Sequence, residues 1–432
     1  MNLFFELMQV ALGRRSVLNK MPSEQEWQAL LDRSEKQAVA GMAMAALEKL
    51  SKKGQKPPMD LLYEWIGLSE QVRQENLRQN KYCKQLQRKL GEAGLRSSIL
   101  KGQGILLLYD ECLRELRQSG DIDVYVDCGL KGAIEIARQF GVDKPQWDYK
   151  HLHLDVFEDA EVEMHYRVEV LLNLWKNRKL QKWFRAHTEE VFGPAEIKEI
   201  AEINPLDSEG HTENAESTEI DSTTNFTNDT NYSPAESTEH AERFSPAEIK
   251  EIAEIITPTV EFNVFYILLH IYRHFLYEGV GMRQIIDYYF VLKNLNNGLN
   301  FNSNTNLTDS YAVKAVGEFG LERFAKGLMW VMQEALGMPR EWMLWGPDEK
   351  EGRLILDEVM AGGNVGHHDN RLTHEGGKLN TVKQVCKHNW HLMSHYPADV
   401  IWAPGWFVWH KCWKLAHGFD WSRRNKGKSR NC

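Results

Sequence analysis

The chain has 432 residues, of which 42% are hydrophobic and fourteen are tryptophan, and its formal net charge is −9. That length predicts two or three domains with substantial cores, and no uncharged run is long enough to span a bilayer. The charge is uneven: residues 193–256 hold sixteen acidic and three basic residues (net −13), leaving 49 basic and 45 acidic elsewhere (net +4). This mildly basic remainder suits a nucleotide-phosphate binder and makes no case for nucleic acid.

Residues 1–15 carry an apolar patch interrupted by Glu6 and no basic leader, so they read as a helix, not a signal peptide. The six cysteines are scattered, with no Cys-x-x-Cys pair. That usage predicts a reduced, cytoplasmic protein without a zinc motif. The first hundred residues read as helical, with Leu61, Trp65, Leu68 and Val72, then Leu86 and Leu90, at helical spacing. These are core positions. A long, charged amphipathic helix should deliver the chain to a first strand at Leu95, closing an N-terminal helical region over 1–94.

Residues 95–102 form a short β-like run ending in Lys101-Gly102, followed by an apolar helical stretch at 105–109. Arg117-Gln118-Ser119 then leads into Gly120-Asp121-Ile122-Asp123-Val124-Tyr125-Val126. Asp121 and Asp123 are two residues apart in an alternating apolar run, which places both on one strand face. Two carboxylates there repel each other and lose solvation. A divalent cation would relieve both costs, and Mg²⁺ takes one or two carboxylates together with waters and substrate phosphates. Asp121 also fits ordinary turn chemistry. Asp123 lies inside a strand, where aspartate is depleted. Residues 151–157 and 161–165 alternate as strands, and Glu161, Glu163 and His165 share a face. A third carboxylate on that neighbouring strand completes a two-metal site. Residues 171–192 read as helix, with Trp175, Trp183 and Phe184 in the core.

The decapeptide at 194–203 recurs at 246–255 around a tract of Asn, Thr, Ser, Glu and Asp. We read 193–256 as an acidic, low-complexity, disordered insertion, and the sequons at Asn225 and Asn228 as accidents of composition. A C-terminal helical domain is expected over 257–420. In it, residues 264–277 are strongly apolar with His270, Arg273 and His274 set among them, and a second helix follows over 281–292. His270 and His274 read as core histidines with partners, or alternatively as nucleotide contacts. Arg273 and Arg283 are the better anion candidates, because buried arginines take anionic partners. His367, His368 and Asp369 are adjacent in a Gly-rich loop and so do not converge on one ion. Trp402, Trp406, Phe407, Trp409 and Trp413 read as a helix packed on the body or an interfacial face. Residues 421–432 form a basic tail.

The succession Leu100-Lys101-Gly102, Arg117-x-x-Gly120-Asp121-Ile122-Asp123 and Val162-Glu163-Met164-His165-Tyr166, with the helical segments 268–274 and 282–287, resembles a known family. It is the bacterial uncharacterised nucleotidyltransferase family, within the polymerase β-like nucleotidyltransferase superfamily. The resemblance covers residues 60 to 295, apart from the insertion. It implies an α+β fold: a small mixed β-sheet core over 95–192, flanked by N-terminal and C-terminal α-helical regions. It also implies transfer of an NMP group from an NTP, ATP first among them, to a hydroxyl of an unspecified acceptor, with pyrophosphate leaving. Two Mg²⁺ ions about 3.5–4 Å apart would be held by Asp121, Asp123 and Glu163, with Glu161 an open alternative to Glu163. Lys101, Gly102, Arg117, Gly120, Arg273 and Arg283 would contact the nucleotide. Gln103 stands where the superfamily has serine or glycine, and the gap to Asp121 is longer than usual. A non-catalytic NTP- or partner-binding module, and a toxin-type enzyme acting on RNA or protein, are the alternatives.

Overall fold

The computed structural model describes residues 2–193, 254–297, 309–362 and 392–419. Most of the acidic insertion, His367, His368, Asp369 and the basic tail lie outside the described residues.

The chain opens with helices α1 (Leu3–Ala11), α2 (Glu24–Lys36) and α3 (Ala40–Ser51). Asn2 caps α1 and a Ser23/Glu26 capping box opens α2, which supplies partners to orphan amides of the first turns. The predicted long helix is α4 (Met59–Glu92), 34 residues with Leu61, Trp65, Val72, Cys83, Leu86 and Leu90 buried along it. Then come β1 (Ser97–Ile99), a 3₁₀ turn (Gly102–Leu108), α5 (Glu111–Arg114), β2 (Ile122–Val126), α6 (Gly129–Gln139), β3 (His151–His153) and β4 (Val162–His165). The strand expected over 151–157 is thus only three residues long. Helix α6 falls where only strands were expected, although Leu130, Ala133, Ile134, Ile136 and Ala137 recur at helical spacing.

The four strands lie in the order β1-β2-β4-β3, with β2 and β4 parallel and both outer strands antiparallel to their neighbours. A parallel pair needs a crossover, and the intervening segment that makes it includes α6. In the β2/β4 register, Asp123 is opposite Glu163, Val124 opposite Met164 and Tyr125 opposite His165. Because side chains alternate with period two, this register sorts the sheet into two faces. Ile99, Ile122, Val124, Leu152, Val162 and Met164 form an apolar face packed on α4 and α6. The carboxylates and imidazoles of the same strands share the other.

Beyond the sheet lie α7 (Leu174–Ala186), α8 (Thr188–Val191), α9 (Val260–Tyr277), α10 (Met282–Asn296), α11 (Tyr311–Glu318), α12 (Glu322–Leu336), α13 (Glu349–Gly362), α14 (Pro397–Val400) and α15 (Ala403–Ala416). Helix α9 is buried nearly all round, as a helix apolar on every side must be. Phe262, Phe265 and Leu269 from it join Phe4, Leu7 and Trp65 of the N-terminal helices in one core. The architecture is the expected α+β class: a small mixed sheet flanked by helices. No described helix is long and apolar enough to cross a membrane.

Candidate functional site

The polar face of the sheet forms the floor of a cavity of about 450 Å³. Asp121, Asp123 and Glu163 meet there, each offering a carboxylate oxygen within 4.8 Å of the others. The parallel register is what brings Glu163 beside Asp123. Glu161 lies one residue outside β4, with its side chain 66% exposed and paired to His153 at 3.2 Å.

Cations and imidazoles hold this group in place. Lys101 Nζ sits 2.9 Å from Asp123 Oδ2 and 3.7 Å from Asp121 Oδ2. His165 Nε2 donates to Asp123 Oδ1 at 2.8 Å and lies 3.4 Å from Glu163 Oε2. His151 Nε2 is 3.3 Å from Glu163 Oε1. The electrostatics differ within the group. Asp123, its nearest like charge, pushes the Asp121 carboxyl above the usual range. Burial works against an ionised Asp123, but Lys101 and the His165 hydrogen bond outweigh it and hold its carboxyl well below that range. Glu163 is likewise brought down to about 2 against its burial, by His165 and His151. Burial pushes the His151 imidazole down to about 4, so it is neutral near pH 7.

The 3₁₀ turn sets Lys101. Gly102 has φ +56°, in the left-handed region that glycine adopts without strain, and it lines the cavity. Gln103 points elsewhere: its amide donates to Asn80 Oδ1 at 2.9 Å on α4. Arg117 lines the cavity, but its guanidinium is committed to Asp287 through two bonds of 2.7 and 2.8 Å. Tyr109 donates to the same carboxylate at 2.5 Å. Arg283 donates to the carbonyls of Gln118 and Ser119 at 3.0 and 2.9 Å. Its guanidinium lies against Gly120, where an added Cβ would meet Nη1 at 3.4 Å. Helix α10 therefore clamps the loop that presents Asp121. Arg283 forms no ion pair among the described residues, and burial, with Arg117 next to it, lowers its pKa.

Arg273 lies 3.3 Å from Glu169 and 2.9 Å from Glu278. His270 donates to Glu169 at 2.9 Å, and His274 lies 3.0 Å from Glu278. Both are core histidines with partners, and both line the cavity. Sequence reasoning singled out neither Asp148, Lys150, His151 nor His410, all of which reach the same space, nor Glu169, which is buried behind the wall and pairs with Lys150, His270 and Arg273. For His151 the signal was present: His151-x-His153 puts two imidazoles on one strand face. Trp406 of α15 is buried and edges onto Tyr149 at 5.4 Å between ring centres, which packs the predicted aromatic helix on the body.

A small mixed sheet with three carboxylates convergent at adjacent parallel strands defines a candidate cation site. Residues 23–337 match the uncharacterised nucleotidyltransferase family, and the chain belongs to it. No curated protein and no solved structure matches the chain. The family implies divalent cations, and the residues present fit them. The donors are hard oxygens, as Mg²⁺ and Mn²⁺ prefer, and the Lys101 ammonium shows that positive charge is held between the two aspartates.

Proposed function

We propose that this chain moves an NMP group from an NTP, ATP first among them, to a hydroxyl of its acceptor, with release of pyrophosphate. The observation that carries this reading is the meeting of Asp121, Asp123 and Glu163 on one sheet face inside a cavity that also holds Lys101 and Arg283. In the reaction the acceptor oxygen bonds to the α-phosphorus as the bond from that phosphorus to the pyrophosphate oxygen breaks. Asp121, Asp123 and Glu163 would hold the cations, two Mg²⁺ in this reading. When bound, these supply Lewis acidity to the acceptor hydroxyl and to the leaving oxygens.

The chain's own residues do the rest. His165 orients the Asp123 and Glu163 carboxylates through its shared Nε2. Lys101, and Arg283 with its unpaired guanidinium edge, offer positive charge to the phosphates. Gly102 and Gly120 keep the backbone low where the nucleotide approaches. Arg117 and Arg273 act through Asp287 and Glu169, which fixes the walls. His165 and His151 keep the Glu163 carboxyl low, at about 2 against its burial, so it is ionised and suited to hold a cation. Catalysis then comes from positioning and electrostatics. The free thiols of Cys83, Cys112, Cys128 and Cys412 support a reducing, cytoplasmic setting.

The test is label transfer from α-labelled ATP with Mg²⁺ across a panel of hydroxyl acceptors, the chain itself included. Wild type should transfer label. Transfer that survives Asp121→Asn with Asp123→Asn overturns the mechanism. One observation favours a second reading, a module that binds NTP without turnover: the Lys101 ammonium already pairs with Asp123 where a cation would sit. Mg²⁺-dependent ATP binding with no pyrophosphate release on any acceptor selects it.

A further inference from the structure

We propose that His151, Glu163 and His165 form a second cation site, for a divalent transition ion such as Zn²⁺, next to the acid group and sharing Glu163 with it. The argument rests on β3 and β4 and needs no nucleotide chemistry. In their antiparallel register His151 is directly opposite His165, and His153 is opposite Glu163. The three donor atoms lie within 4.8 Å of one another.

The distances point to an ion. His151 Nε2 is 3.3 Å from Glu163 Oε1 and His165 Nε2 is 3.4 Å from Oε2, beyond the usual N–H···O range of about 2.7–3.2 Å. A tetrahedral ion with ligand bonds of about 2.0–2.1 Å holds neighbouring donors about 3.3 Å apart. Two imidazoles and one carboxylate also favour Zn²⁺-like ions over Mg²⁺. Nδ1 of each ring is buried with no hydrogen-bond partner, so Nε2 is the nitrogen that each ring turns to Glu163; to bind an ion there, His165 Nε2 must give up the proton it donates to Asp123. Asp148 Oδ2, 3.7 Å from His151 Nε2, is a further oxygen within reach. An ion here takes His165 from Asp123, whose other oxygen keeps Lys101 at 2.9 Å. The neighbouring group of His153, Glu161 and Glu163 is a weaker rival, because the Glu161 and His153 side chains are 66% and 37% exposed.

The test uses the full chain without a tag, stripped of metal, with Zn²⁺ titrated against a chromophoric chelator. Wild type should take up one tight equivalent. His151→Gln, at the more accessible ligand, should weaken it at least about tenfold, and Asp121→Asn should leave it unchanged. A wild type that binds no Zn²⁺ overturns the proposal, and so does a His151→Gln variant that binds as well as wild type. Loss in Asp121→Asn places the ion in the acid group and also overturns it. X-ray absorption at the zinc edge of the wild-type complex needs no variant: two imidazole ligands are expected, and one or none contradicts the site. Transfer activity enters none of these readouts, so the failure of the nucleotidyl-transfer reading is separately visible.

Discussion

Two sets of carboxylates lie in or just behind the walls of one cavity and are treated in opposite ways. On the helical side, Asp287 has Arg117 and Tyr109, Glu169 has His270, Arg273 and Lys150, and Glu278 has Arg273 and His274. Each acid there has at least as many cationic or donor partners as it needs. On the sheet side, Asp121, Asp123 and Glu163 share one ammonium and two imidazoles, and Asp121 is pushed toward protonation by Asp123. Burying a charge is expensive unless it is matched. The helical acids are matched by the chain, and so they build the walls. The sheet acids are not, and so they are the ones left to be matched by something bound.

The largest expected effect breaks the sheet side. Asp121→Asn with Asp123→Asn should lower label transfer by about a thousandfold or more, since bound cations contribute several kcal/mol of transition-state stabilisation. The same change should leave folding intact by circular dichroism. On the helical side the cost should fall on stability. Arg117→Met strands Asp287 as an uncompensated buried charge, and denaturant unfolding should show a loss of about 3–5 kcal/mol. Adding Asp287→Leu should recover much of it.

The helical side also carries a pH signature. Burial holds the His270 imidazole well below its ordinary 6.5 against the pull of Glu169, and His274 is lowered for the same reason. As the pH falls below about 6.5 the unfolded chain takes up these protons and the folded chain does not. Stability should therefore fall between pH 7 and pH 5 by denaturant midpoint. His270→Gln should flatten part of that slope. Glu169 and Glu278 titrate lower still and stay ionised in this window.

Two smaller effects sharpen the contrast. Without divalent ions, Asp121→Asn should raise the melting temperature by about a degree or two, because it removes a like charge beside Asp123. Glu161→Gln should change transfer by less than about twofold, as expected for an exposed pair. A large loss from Glu161→Gln, with Glu163→Gln mild, would reverse the choice of third acid.

The sequence reveals much of the sheet side and little of the helical side. Period-two alternation put Asp121 and Asp123 on one face, and the motif order brought Lys101 and Gly102 near them. The same parity could not separate Glu161 from Glu163, because both point the same way along one strand. Only the parallel register, with Glu163 opposite Asp123, separates them in space. His151 enters through an antiparallel pairing with β4 that local pattern does not encode. Arg117 reads as a phosphate ligand in sequence because its partner Asp287 lies 170 residues away. Helix α6 was legible from its own spacing and was hidden by the strands on either side.

The most direct measurement is the thermal response to Mg²⁺ and a non-hydrolysable ATP analogue, added singly and together. If the sheet acids are matched by a bound cation and nucleotide, wild type melts higher with both than with either alone, and Asp121→Asn with Asp123→Asn shows no such gain. An equal gain in wild type and variant would contradict a metal and nucleotide centre at Asp121, Asp123 and Glu163.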